Sequence, residues 1–302
     1  MSRFARHFTL ALGLIFVLAS GLATAQQIPA ALATDPAADK AHPAAMDAFQ
    51  IPSHGAQLNA IAYIAAGEGP HPTVIVLHGF PGNEKNLDLA QAIRRAGWDA
   101  IFFDYRGSWG SPGAFTFANC IEDTAAAIAY LRNPANAARL RVDPKRIALI
   151  GHSMGGFMAA YAGSHDSGII GTALISAANF HDWAGGDQKP EEEKANHDRL
   201  VKSLVDNDLL PLAGCTGDSL ADEMLAHRKE WNFVSYAAMF GTRPLLVITS
   251  DDGLKPGNDA LASAVRGQGS THVQEVHFPT DHSYSDHRIA LETVVLSWLA
   301  TL

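Results

Sequence analysis

"RIALIGHSMGGFMAAY", residues Arg146–Tyr161, decides the fold. Its first part, through Ile150, is the apolar run of a buried strand. Its last part has the composition of a helix. Between them stands a polar Ser153, with Gly151, Gly155 and Gly156 removing side-chain bulk on either side. A strand that runs straight into a helix forces a tight turn, which strains the backbone of the turn residue and thrusts its side chain outward. Glycines two residues before and after let strand and helix approach closely. The first turn of the helix leaves backbone N–H groups unpaired beside that side chain. The stretch therefore reads as an exposed nucleophile, Ser153, with half of an oxyanion site in the Met154 N–H. It also carries the G-x-S-x-G pattern in the strand-turn-helix context that the pattern needs.

Strand and helix signals alternate on both sides of this stretch. "LNAIAYIAA", "TVIVLHGF", "DAIFFDYRG" and "IIGTALISAA" read as strands, and "EKNLDLAQAIRRAG" and "CIEDTAAAIAYLRNP" as helices. The rhythm breaks over 180–241, which is polar, helix-prone and without a convincing strand. It resumes with "RPLLVITSDDG" and "HVQEVHFP" as strands, then a closing helix in "HRIALETVVLSWLATL". Apolar strands separated by amphipathic helices imply a mostly parallel sheet covered on both faces. The break is too long for an ordinary loop and reads as a helical cap over one end of the sheet. In such sheets ligands bind outside the carboxyl ends of the strands.

A serine hydroxyl needs a base, and the base an orienting acid. Asp251 and Asp252 stand where "LLVITSDDG" leaves its strand, and His282 and His287 follow the last strand in "HFPTDHSYSDHR". The chain order Ser, Asp, His, each at the carboxyl end of a strand, is the order of a nucleophile-elbow hydrolase. A second oxyanion donor is expected in the turn after an early strand, where "VIVLHGFPG" offers the Phe80 N–H.

With these features in place, the sequence resembles the α/β-hydrolase superfamily from about residue 47 to 302. The resemblance is carried by "HGFPG", "FDYRGSWGSPG", "GHSMGG", "LLVITSDDGLKP" and "DHSYSDH". It is nearest to bacterial esterases and to prolyl-oligopeptidase-like or dienelactone-hydrolase-like enzymes. The resemblance implies an eight-stranded-type sheet with a helical cap, Ser153 as nucleophile, Asp252 as acid with Asp251 as the alternative, and His282 as base in preference to His287. It implies a serine hydrolase acting on a small ester, or alternatively a peptidase on a short peptide.

Other residues have plainer readings. His78 braces the oxyanion turn and His152 is a packing residue. Asp104 and Arg106 order a loop, and Glu122 and Asp123 suit the positive end of a helix. Trp109, Phe115 and Trp183 are expected to line a substrate pocket, with core packing of the cap the equal alternative for Trp183, as it is for Trp231. His272 and His277 fall on opposite faces of a strand, and no metal-binding pattern accompanies the histidines, so neither metal nor cofactor is expected. Cys120 and Cys215 would tie down the cap if they paired.

The opening residues, "MSRFARHFTLALGLIFVLASGLATAQQIP", place Arg3 and Arg6 before an apolar run and Ala23-Thr24-Ala25 after it. This is the pattern of a cleaved signal peptide over 1–25, implying a periplasmic or secreted product that does not stay in the membrane, with 26–46 as a flexible leader. Cleavage would make the formal charge of −9 two units more negative. An acidic chain without a basic run argues against nucleic acid as partner.

Overall fold

The computed structural model describes residues 28–187 and 189–302. The expected signal peptide lies outside them. An eight-stranded sheet organises the chain in the order β1-β2-β4-β3-β5-β6-β7-β8. The strands are β1 (Ala45–Ser53), β2 (Ala56–Ile64), β3 (His71–Leu77), β4 (Asp99–Phe103), β5 (Val142–His152), β6 (Ile169–Ile175), β7 (Leu245–Thr249) and β8 (Val273–His277). β2 runs antiparallel to both β1 and β4, and every other pairing is parallel.

The central strands are apolar throughout because both faces are covered. Ile75, Leu77, Ile101, Phe103, Leu149 and Val247 point to one core. Their neighbours Val74, Val76, Phe102, Ile150 and Leu246 point to the other. This is the period-two alternation of a strand, with apolar side chains demanded on both sides. The first face is covered by α3 (Phe117–Arg132) and α5 (Met154–His165), and the second by α2 (Leu87–Arg95) and α11 (Arg288–Leu299). The remaining helices are α1 (Ala30–Ala33), α4 (Pro134–Leu140), α6 (Phe180–Trp183), α7 (Glu193–Asp206), α8 (Gly217–His227), α9 (Ala237–Phe240) and α10 (Lys255–Gly267). The described part of the leader is not without structure. α1 docks on α2, where Arg95 Nε donates to Ala31 O at 2.6 Å, and β1 already opens at Ala45.

Residues 180–241 form the helical excursion between β6 and β7 that carries α6 to α9. Two of its ties reach the chain after β4. Its segment 211–213 lies along the loop after β4: Trp109 N donates to Pro211 O, Ala213 N to Gly107 O and Phe115 N to Ala213 O, at 2.7–2.9 Å. On α8, the Glu223 carboxylate accepts the N–H groups of Phe117 and Ala118, both at 2.9 Å, and so serves the first turn of α3.

That helix begins three residues earlier than "CIEDT" suggests, with Thr116 as its N-cap. Glu122 and Asp123 therefore lie past its first turn and do not serve its positive end. Asp123 is buried and accepts from Ser53 Oγ, Arg106 N and Arg106 Nε at 2.6–2.8 Å. Glu122 takes a second Arg106 nitrogen. A buried guanidinium requires such partners, and Arg106 in turn fixes the loop, as expected. Cys120 is buried, Cys215 half-buried, and both are free thiols. The disulfide considered above is not formed.

Candidate active site

β5 ends at His152 and α5 begins at Met154, so Ser153 alone makes the turn. Its φ of 57° and ψ of −121° are unusual for a residue with a side chain. Three hydrogen bonds hold that conformation: Ser153 N donates to Ile175 O, and Ala178 N and Gly156 N donate to Ser153 O, each at 2.9 Å. The flanking glycines are required by close approach. A Cβ on Gly151 would stand 1.9 Å from Gly155 O, and one on Gly155 would stand 2.1 Å from Leu77 O. Backbone atoms cannot yield to either.

His282 sits in the loop between β8 and α11, and Asp252 just past β7. His282 Nδ1 lies 2.7 Å from Asp252 Oδ2. A carboxylate only accepts, so Nδ1 carries the proton and Nε2 is left free to accept one. Burial alone would raise the Asp252 pKa. Hydrogen bonds from His282, Ser176, Leu254 N and Ser250 outweigh it and hold the carboxyl well below the usual carboxylate range. The neighbouring Asp251 is largely exposed and faces His277 at 3.2 Å. His287 pairs with Asp286 at 2.8 Å ahead of α11. Of the residue pairs left open by the sequence, the structure thus joins Asp252 with His282. Ser153, Asp252 and His282 line one cavity of 570 Å³.

The turn after β3 brings Gly79 against the serine, since a Cβ there would lie 3.0 Å from Ser153 Cβ. Neither the Phe80 N–H nor the Met154 N–H has an acceptor among the described residues. His78, fully buried, donates from Nδ1 to Gly79 O at 2.8 Å. Burial first, and Lys85 second, depress its pKa to about 3, so the ring stays neutral. It braces the turn.

Trp109 and Phe115 are not where a pocket-lining role would put them. The Trp109 ring folds back on the turn after β3, where Nε1 donates to Pro81 O at 2.8 Å and Lys85 Nζ sits 4.5 Å from the ring centre. Phe115 is 0% exposed, packed between Phe80 and Phe117. Trp183 does line the cavity, edge-on to Phe80 at 5.9 Å. Trp231 is core, against Phe180 and His227.

Several contributors escape a sequence reading. His152, buried beside the serine, donates from Nε2 to the backbone O of His282 at 2.8 Å, and the two rings lie 4.6 Å apart. It does more than pack: it links the elbow to the loop of the candidate base. Ser176, directly after β6 and at φ 44°, contacts Tyr284 OH at 2.8 Å and Ser250 Oγ at 3.1 Å. Asn179, Asp182, Ser203 and Asn207 complete the cavity's polar wall. The available signal was position, since Ser176 and Asn179 follow the carboxyl end of a strand. Among the described residues, no group of three or more His, Cys, Asp or Glu is placed to hold a metal ion.

A family model described as "alpha/beta hydrolase fold" matches residues 72–248. An uncharacterized protein of Mycobacterium tuberculosis is 31% identical over 125 residues, which are 41% of this chain and 43% of that one. The match thus spans under half the length of that relative. Among solved structures, the Pyrobaculum calidifontis esterase superposes with a TM-score of 0.62 at 17% identity, covering 86% of this chain and 87% of that one. Est1E of Butyrivibrio proteoclasticus, solved with ferulic acid bound, gives 0.64 at 19% identity, covering 84% and 98%. At these identities the structural likeness concerns the fold.

Proposed function

The chain belongs to the alpha/beta hydrolase fold family, and from that premise we propose that it is a serine hydrolase that cleaves carboxylic esters. The observation that carries the reading is the 2.7 Å His282–Asp252 pair in the cavity that also holds the Ser153 side chain. His282 Nε2 takes the Ser153 proton as Oγ attacks the ester carbonyl. Charge builds on the carbonyl oxygen, where the Phe80 and Met154 N–H groups are free to donate, a contribution of about 3 kcal/mol per donor in comparable sites. The C–O bond breaks, and the alcohol leaves with the proton from His282. Water, deprotonated by His282, then attacks the acyl-serine; the acyl–Oγ bond breaks, the acid leaves, and His282 returns the proton to Ser153 Oγ. Asp252 holds the ring in its tautomer throughout.

The cap supplies Trp183, Ser203 and Asn207 to the cavity wall, so the cap sets which acyl or alcohol group fits. The pattern of the opening residues supports export to the periplasm or beyond as part of the same proposal.

The test is hydrolysis of p-nitrophenyl esters from acetate to palmitate, beside amino-acid p-nitroanilides, by the native chain and by Ser153→Ala. Ester turnover that is lost in the variant supports the reading. Turnover of anilides alone replaces it with a peptidase. Equal rates for the two proteins remove the nucleophile.

A further inference from the structure

The cavity has an apolar side, formed by Phe80, Trp183, Leu254 and Pro256, and a polar side that includes one uncommitted carboxylate. Asp252 is engaged by His282 and Leu254 N. Asp182 is different. Among the described residues it forms no ion pair, and neither lysine nor arginine lines the cavity.

Its carboxylate is nevertheless held in place. Asn179, 4% exposed, donates from Nδ2 to Asp182 Oδ2 at 3.0 Å and to Asn232 Oδ1 at 3.1 Å, while its Oδ1 accepts Phe233 N at 3.1 Å. A buried amide with three such bonds is a rigid support for a side chain on the cavity wall. Gly257 leaves room for the same oxygen: a Cβ there would approach Asp182 Oδ2 to 2.6 Å. The residue after Asp182 is Trp183, whose ring lines the cavity with Phe80.

An oriented carboxylate with no ion-pair partner among the described residues, lining the same cavity as Phe80, Trp183 and the candidate nucleophile, is complementary to an ammonium group. We propose that Asp182, with Trp183 beside it, forms a subsite for a positively charged amine carried by the substrate, so that the preferred esters bear a quaternary or protonated amine in the acyl or the alcohol part. This deepens the ester-hydrolase reading and rests on it. An exposed ion pair and a cation–aromatic contact are each modest, and together correspond to a preference of about tenfold.

The experiment compares charged esters with neutral isosteres of the same shape. On the alcohol side, butyrylcholine is paired with 3,3-dimethylbutyl butyrate. On the acyl side, p-nitrophenyl 4-(trimethylammonio)butanoate is paired with p-nitrophenyl 5,5-dimethylhexanoate. The quantity read is the ratio of kcat/KM, charged over neutral, for the native chain, Asp182→Asn and Gly257→Ala. We expect a ratio near ten for one pair, falling to about two to five in Asp182→Asn, where the Trp183 contact remains. Gly257→Ala keeps the charge but displaces the carboxylate, and it too should lower the ratio.

Ratios near one for both pairs in the native chain, with the neutral esters turned over, overturn the subsite and leave the ester reading intact. If no ester is hydrolysed, the ester reading fails and calorimetric titration with tetramethylammonium decides the subsite. Saturable binding weakened at least twofold by Asp182→Asn sustains it, and no saturation overturns it.

Discussion

Replacing His152 by phenylalanine separates two effects that the native ring combines. The substitution keeps an aromatic ring beside His282 but removes the Nε2 donor to the His282 carbonyl. At pH 7.5 that lost bond should cost about 1–2 kcal/mol of stability. Acid reverses the comparison. Burial, and then the neighbouring His282, depress the His152 pKa to about 3, against about 6.5 in an unfolded chain. Below that unfolded value the denatured chain takes up a proton that the folded one refuses, so the native protein loses stability as pH falls toward 3. At pH 4.5 the loss from this one residue is about 3 kcal/mol. Phenylalanine carries no such penalty, so at pH 4.5 the variant should equal or exceed the native protein. Burial of Asp99 pushes its carboxyl up to about 7, which has the opposite sign and favours the folded state as pH drops through that value. It is present in both proteins and cancels, as does His78. Urea unfolding followed by tryptophan fluorescence at the two pH values measures the difference. Parallel pH dependences in the two proteins would refute the buried, neutral His152. The same variant should lose about tenfold in kcat, because the backbone of His282 is no longer held.

Three further outcomes follow from the geometry. Asp252→Asn should lower kcat by about 10³–10⁴ through the wrong histidine tautomer, whereas Asp251→Asn, whose carboxylate faces His277 on the surface, should retain nearly native ester hydrolysis in the same assay. Trp109→Phe removes the donor to Pro81 O and should reduce kcat about tenfold by loosening the oxyanion turn, with KM nearly unchanged; a rise in KM alone would return Trp109 to the pocket. Gly155→Ala places a methyl group against Leu77 O and should cost about 3 kcal/mol or more, read as a lowered Tm or as loss of soluble protein.

The sheet was legible where burial on both faces left only one solution. β3 to β7 are apolar runs of strand length, with Ser153 directly after β5 and Asp252 just past β7, while His282 follows β8. β1 was missed because it is an edge strand, with alternation diluted by Ala45, Ala48 and Pro52. The start of α3 was misplaced because one of its helpers, Glu223, is remote in sequence. Trp109 and Phe115 lie in the loop the sequence marks, but their side chains turn away from the cavity. Topology fixes where a loop lies, while the path of its side chains depends on the cap segment paired with it. His152 and Asp182 were visible as residues, yet their partners, His282 O and Asn179, stand on other elements. Nothing local in the sequence announces such partners.

The pairing of 211–213 with the loop after β4 bears on how this scaffold tolerates recombination. That loop contributes Trp109 to the turn after β3 on one side and backbone partners to the cap on the other. A chimera with crossover points only at the edges of 180–241 would graft a foreign cap onto a strip shaped for the original one, and the mismatch would propagate to Pro81. Exchange of caps between relatives should therefore carry 104–116 and 180–241 together, as a single inherited unit in two pieces of chain.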